Sequence, residues 1–384
     1  MSSETLLQRL RELLPTIRAR SAEIEQQRRL PKEIVDALRA TNLFALEIPR
    51  ALGGQEAEPA DIFRAIELIS TADGSTGWCA MIAAANSGAA GFASEAGARE
   101  VFSDPSAPCA GVFAPAGAAR RVEGGVRISG RWPFASGIGH CDWVWLGCVV
   151  MQDEKPRMTA TGPEIIHAFV PVKDVEVHDT WFVSGLCGTG SNDVSVKDVF
   201  VPERRIFDIM DPSTHRKEPL YRLPPLGAFV SHVAAVSLGL ARGALDLLVE
   251  LAQQKVPALS SAVLADRSMA QIELARAEAT LASARAFFYE TVHDLWATVR
   301  EGKQPAPRQV ALNRLACANA AEAGASVTRR ANVVAGGSSI FASSQLQRHA
   351  RDAEAVLHHF TVAPHVWEDV GRVLLGRQPL APMF

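Results

Sequence analysis

The sequence predicts an α+β fold in three blocks: helices, then strands, then helices. Three observations carry that prediction. Apolar residues recur at helical spacing up to about Pro105 and again from about Tyr221. Between them, from about Ala107 to Asp211, short alternating runs are punctuated by Gly and Pro at strand-like intervals. The chain has 384 residues and is 48% hydrophobic, enough for two or three domains with buried cores. We place the domains at 1–107, 108–215 and 216–384.

In the first block, Leu6, Leu10, Leu13, Leu14 and Ile17 share one helical face. Pro31 suits the first turn of a second helix carrying Ile34, Val35 and Leu38. Pro49 and Gly53–Gly54 interrupt the pattern, and Asp61 to Ile69 resumes it. The stretch from Gly74 to Ser94 contains no charge and is long enough to span a bilayer. It is mostly Ala, Gly, Ser and Asn, which gain little from lipid, so it predicts a buried helix and no membrane span. In the second block, Val126–Ser129, Asp142–Leu146, Ile165–Val170 and Asp193–Val201 read as strands of a barrel or sandwich. Trp132, Trp143, Trp145 and Trp181 lie here. In the third, Val233, Val236, Leu240, Ala244, Leu247, Leu248 and Leu251 form a long stripe. Helices over about 266–301, 313–335 and 344–360, and a last one after Pro364, complete a bundle.

Composition also narrows function. The chain carries 39 Lys+Arg against 42 Asp+Glu, net −3, with no long basic run, so nucleic acid is not the expected partner. The start, MSSETLLQRLRELL, has no apolar core of a secretory signal. The six cysteines lack C-x-x-C or zinc spacing and read as reduced thiols in a cytoplasmic protein. Gly188-Thr189-Gly190 lacks the third glycine of a dinucleotide fingerprint and precedes a β-run. There is no Walker A, G-x-S-x-G or H-E-x-x-H. His358 and His359 are adjacent, so on a helix they point about 100° apart, and no metal site is expected.

Two positions carry chemistry. His359 follows Arg348, Asp352 and Ala355 on one helical stripe, near a helix end marked by Pro364. There the dipole favours the imidazolium, so His359 is either a donor and proton shuttle or an ordinary partly buried histidine. Ser136 lies in Trp132-Pro133-Phe134-Ala135-Ser136-Gly137, which suits either the edge of a planar ring or a strand end with a turn.

At these residues the sequence resembles the acyl-CoA dehydrogenase fold, and within it the flavin-dependent monooxygenase branch. The likeness runs through Pro115-Ala116-Gly117, Val122 to Gly125 and Ile128 to Gly137. It continues through Gly185 to Ser191, Val199 to Pro202, Gly336-Gly337, Gln347-Arg348 and Arg351-Asp352. The resemblance implies an N-terminal helical domain, a central β-barrel or sandwich and a C-terminal four-helix bundle. It also implies a homotetramer with flavin between the last two domains. Trp132, Phe134 and Ser136 then belong to one flavin-contacting segment and Ser191 to a second. Gly336 and Gly337 approach the cofactor of a neighbouring subunit.

The same resemblance separates two activities. The base of a typical acyl-CoA dehydrogenase falls on Phe360, which cannot accept a proton, and Thr361 and Val362 offer no carboxylate. A dehydrogenase would need a displaced base, with Glu250 the nearest acidic candidate. The monooxygenase branch has a His at the interval of His359. There reduced flavin and O2 form a C4a-hydroperoxide that needs a hydrogen-bond donor, and Ser136 holds the flavin near N5. We therefore expect the oxygenase component of a two-component system, using reduced FAD or FMN from a separate reductase. A dehydrogenase with a displaced base, or a flavin-free member of the fold, are the alternatives. Trp78 and Asn86 face substrate; Asn86 stands where relatives carry His, and it cannot act as a base near neutral pH. The substrate is thus an aromatic, heteroaromatic, amine or sulfur compound. Cys187 replaces a common Arg.

Overall fold

The computed structural model describes residues 3–160, 162–211, 213 and 216–380. The expected boundary at 215 falls outside them. Five helices open the chain: α1 (Ser3–Gln27), α2 (Lys32–Ala40), α3 (Pro59–Ser70), α4 (Gly74–Ser87) and α5 (Glu95–Val101). On α1, Leu6, Leu10 and Ile17 are buried, as their spacing predicts, while Leu13 and Leu14 stay half-buried. In α4 every residue except Ala85 is buried. Its apolar all-round character follows from its place, because it packs on α3, on the sheet and on the bundle at once. Asp73 caps it, its carboxylate accepting from Thr76 N and Oγ1, both at 2.7 Å.

Ten strands follow: β1 (Cys109–Val122), β2 (Gly125–Trp132), β3 (Trp143–Gln152), β4 (Lys155–Pro156), β5 (Met158–Thr159), β6 (Gly162–Pro163), β7 (Ile165–Pro171), β8 (Glu176–His178), β9 (Asp193–Pro202) and β10 (Ile206–Phe207). The main sheet runs β10-β7-β3-β1-β2-β9-β8 with β4 on β3, while β5 and β6 form a separate ribbon. Pairing is antiparallel except between β1 and β3, which are parallel and broken by a bulge between Val112 and Gly117. The sheet curls around one core that includes Ile128, Trp132, Leu146, Val170 and Val194. Among the described residues no ladder joins β8 to β10, so the expected barrel or sandwich domain is built on one mixed sheet that does not close.

The bundle consists of α6 (Pro225–Gln254), α7 (Ser268–Arg300), α8 (Pro307–Ala335) and α9 (Gln345–Leu357), with a short α10 (His365–Leu374) against α8. The predicted stripe of α6 is buried, apart from half-buried Leu247 and Leu251. Gly239 and Gly243 let α6 touch the end of α3: a Cβ at either would lie 2.2 Å from a carbonyl oxygen there, of Glu67 or Thr71. Among the described residues one helix, Gly227–Gln254, is long and apolar enough to cross a membrane, and 78% of its most apolar window is buried inside the protein. The core of a bundle accounts for it.

Candidate active site

Two loops, helix α4 and the end of helix α9 with its following turn build the site. The loop after β2, Pro133 to Gly137, is zipped to the loop before β9: Ala135 N donates to Asn192 O (3.0 Å) and Gly137 N to Thr189 O (2.9 Å). Helix α4 closes over this pair. Ser75 Oγ accepts from Gly188 N at 3.0 Å, and one turn on, Trp78 Nε1 donates to Ser136 Oγ at 3.1 Å. From α9, Asp352 Oδ1 accepts from Leu186 N at 2.6 Å. Burial and then the nearby Asp73 carboxylate push the Asp352 pKa up to about 7.

A directed chain of hydroxyls runs through these loops. Thr189 Oγ1 donates to Leu186 O at 2.8 Å, and a carbonyl can only accept. The 2.7 Å contact between Ser191 and Thr189 therefore has Ser191 as donor. The 2.6 Å contact between Ser136 and Ser191 then has Ser136 as donor. Ser136 Oγ thus takes the Trp78 N–H, gives its own proton away, and keeps one lone pair. A ring edge bearing an N–H suits that lone pair, as the central ring of a reduced flavin does. Beside it, Phe134 adopts a left-handed φ of 63° and is 66% exposed, with its ring 6.0 Å from Trp181. A flat apolar face next to a free acceptor fits a flavin.

His359 closes the other side. Helix α9 ends at Leu357, two residues earlier than the stripe suggested, and His359 sits in the following turn. Its Nδ1 lies 2.7 Å from Thr361 Oγ1 and accepts from Thr361 N at 3.4 Å, which leaves the proton on Nε2. Its ring is walled by Trp78 (5.5 Å, edge-on), Phe229 (5.9 Å) and Phe360 (4.9 Å). Although the ring keeps some exposure, these neighbours desolvate it and lower its pKa to about 4. The expected imidazolium is corrected. The shift is worth on the order of 3 kcal/mol, against about 0.3–1 kcal/mol for an ordinary helix dipole.

Of the sequence-predicted residues, the structure brings together Trp78, Ser136, Ser191 and His359, with Phe134 beside them. Trp132 does not join them. Its side chain is fully buried in the sheet core, its Nε1 donating to Gly147 O at 2.7 Å, and it fills the space above Gly117. Gly336 (φ 62°) and Gly337 lie past the end of α8, and the contacts of their turn in this chain are with α8 and α9. Cys187 Sγ is spent on Val183 O at 3.1 Å.

Asn86 lies eight residues beyond Trp78 on α4, about 12 Å along the helix. It lines a cavity of about 90 Å³ walled by Phe92, Phe113, Trp145, Leu223, Phe229 and Phe360, among others. Phe229 and Phe360 also touch His359, so the cavity begins where the His359 wall ends. Asn86 is 2% exposed, and its Nδ2 has no hydrogen-bond partner. Glu250 is exposed on a separate groove with Arg18 and Phe341. The carboxylate lining the cavity is Glu47, hydrogen-bonded to His232. Sequence reasoning passed over both residues. The available signal was one carboxylate inside the apolar run Leu43–Ile48 and one histidine inside the apolar stripe of α6.

The comparisons with known proteins bear on the family and the activity. Residues 3–101 match the family model of the acyl-CoA dehydrogenase N-terminal domain and residues 231–364 that of the C-terminal domain. The chain is 35% identical over 367 residues to an indole-3-acetate monooxygenase of Pseudomonas putida, covering 94% of this chain and 92% of that one. The crystal structure of 3-HSA hydroxylase from Rhodococcus superposes with a TM-score of 0.92 at 30% identity, over 99% of both chains. XiaF from Streptomyces, solved with FADH2 and glycerol, superposes at 0.90 with 27% identity, over 100% of this chain and 98% of that one. The chain belongs to the acyl-CoA dehydrogenase family, in which it is a flavin-dependent monooxygenase that uses reduced flavin.

Proposed function

We propose that this chain is the oxygenase component that inserts one oxygen atom into a small aromatic or heteroaromatic substrate, fed by a separate reductase. The observation that carries the reading is Trp78, which is edge-on to the neutral His359 donor and hydrogen-bonded to Ser136, beside the aromatic cavity. Reduced flavin, when bound, supplies the two electrons that activate O2. Ser136 Oγ, its own proton committed to Ser191, would hold the flavin by accepting an N–H from it. His359 Nε2 would donate to oxygen at the reacting centre, from a ring walled by Trp78, Phe229 and Phe360. Phe134 supports the ring face, and Asn86 Nδ2 donates to substrate.

The assembly we propose is a homotetramer. Val333, Ile340 and Phe341, which flank Gly336–Gly337, are 71%, 79% and 64% exposed, an apolar surface that suits burial against a second copy. We also propose a cytoplasmic location, which the six unpaired cysteines support. The family provides for either FAD or FMN.

The test is a panel of small aromatics, indoles and amines with reduced flavin and ¹⁸O2, read by mass spectrometry. A product gaining one labelled oxygen is expected. Flavin reoxidation with stoichiometric hydrogen peroxide and no labelled product across the panel overturns the reading.

A further inference from the structure

The cavity wall holds a buried pair that the sequence did not single out. Glu47 is 8% exposed and His232, on α6, 2%. His232 Nδ1 donates to Ala228 O at 2.8 Å, since the carbonyl can only accept. Its Nε2 meets Glu47 Oε1, so one proton is shared between those two atoms and the pair carries no net charge. Phe63 packs edge-on against the imidazole at 4.9 Å and holds the ring in place. The other carboxylate oxygen, Glu47 Oε2, has no hydrogen-bond partner among the described residues. It lies against Gly88, where an added Cβ would sit 2.8 Å away. The cavity wall has no side chain there, and Glu47, Gly88 and His232 all line it.

Two further polar atoms of the same cavity are buried without partners. They are Asn86 Nδ2 and Trp145 Nε1, and both are donors. Two buried donors without partners in one apolar wall cost stability, and Glu47 Oε2 beside them keeps accessible area and an open lone pair. A ligand with the opposite groups satisfies all three.

We propose that the Glu47–His232 pair is the substrate-recognition site of this oxygenase. Glu47 Oε2 accepts from an N–H or O–H on the edge of the aromatic substrate. Asn86 Nδ2 and Trp145 Nε1 donate to an oxygen of the same molecule. His232 is a positioning residue: it orients the carboxylate and holds the shared proton. The substrate class is therefore an N–H heteroaromatic or a phenol that also carries a carbonyl or carboxyl oxygen. This rests on the monooxygenase reading for the reaction, and on the cavity alone for recognition.

The test is equilibrium binding, under nitrogen, to the protein supplied with reduced flavin. The probes are indole and benzofuran, which differ in replacing the N–H by an oxygen. Indole is expected to bind at least tenfold more tightly, because benzofuran sets its ring oxygen against Glu47 Oε2 and leaves that acceptor unpaired. In Glu47→Met the two should bind within twofold of each other. Glu47→Gln keeps an oxygen toward the cavity and should keep a preference of threefold or more. Thermal denaturation reports whether each variant folds. A merely structural pair would move melting temperature but not the indole-to-benzofuran ratio. Wild-type protein binding the two probes equally overturns the proposal, whatever the variants do. So does a folded Glu47→Met that keeps the preference. Oxygen incorporation into indole is measured separately: preference without oxygenation defeats only the monooxygenase reading, and oxygenation without preference defeats only this one.

Discussion

The two ends of α4 handle polar groups in opposite ways. Near Trp78, each hydroxyl finds a partner: Trp78, Ser136, Ser191 and Thr189 form one directed chain ending on a carbonyl. Near Asn86, polar atoms in the cavity wall are unpaired: Asn86 Nδ2 and Trp145 Nε1 are buried without a partner. The closed end holds one fixed shape, as an invariant cofactor requires. The open end costs stability in the free protein and regains it when a ligand fills it. The proposed reading assigns the closed end to the constant cofactor and the open end to the variable substrate.

The largest expected effect is at the junction. His359→Ala removes the donor at the reacting centre while leaving Ser136 and its chain intact. Losing one such donor typically costs about a hundredfold or more. Hydrogen peroxide release should become the main fate of reduced flavin, measured as peroxide formed per flavin oxidised. Unchanged coupling would take His359 out of the chemistry. Next is Ser136→Ala at the closed end. It strands the Trp78 N–H and leaves Ser191 without its donor. A stability loss of roughly 1–3 kcal/mol is expected, together with weaker flavin binding, read by thermal melting and flavin titration.

Asn86→Leu at the open end should act with the opposite sign on the fold. The wild-type Nδ2 is buried and unpaired, so an isosteric apolar group relieves about 1 kcal/mol. Melting temperature should hold or rise while the affinity for an oxygenated substrate falls. If Asn86→Leu and Ser136→Ala destabilise the fold equally, the contrast between the two ends is broken.

Much of this was legible in the sequence, and the failures have physical causes. The face of α1 was readable because it buries one stripe, and α4 because an uncharged run of small residues suits an interior; α6 is buried all round over 230–241, so its stripe was only part of its buried surface. Ser136 and Ser191 came from the motif pattern and Trp78 from the uncharged helix, and hydrogen bonds join the three in the structure. Trp132 was misplaced in the cofactor contact because adjacent strand residues point to opposite faces. A sequence motif does not say which face meets the ligand. Glu47 and His232 were missed because they are 185 positions apart and only tertiary packing of the first block on α6 joins them. The parallel β1–β3 pairing was equally hidden, since strand runs give no order.

The charge state of His359 gives the smallest expected effect and the sharpest test of the environment. The helix-end argument predicts an imidazolium that discharges as pH rises through about 6.5. The structure lowers the folded pKa to about 4, with desolvation the cause. A histidine with a depressed folded pKa binds protons less readily when folded than when unfolded. Its contribution to stability is then fully present above about pH 6.5, the unfolded value, and is lost as pH falls toward 4. Between pH 6 and 8.5 the ring stays neutral, and Nε2 keeps its proton throughout. Coupling of flavin oxidation to product should therefore be flat over that range. A coupling curve with a midpoint near 6.5 that disappears in His359→Gln would show a charged ring. It would mean that the Trp78, Phe229 and Phe360 wall is wetter in solution than their packing implies.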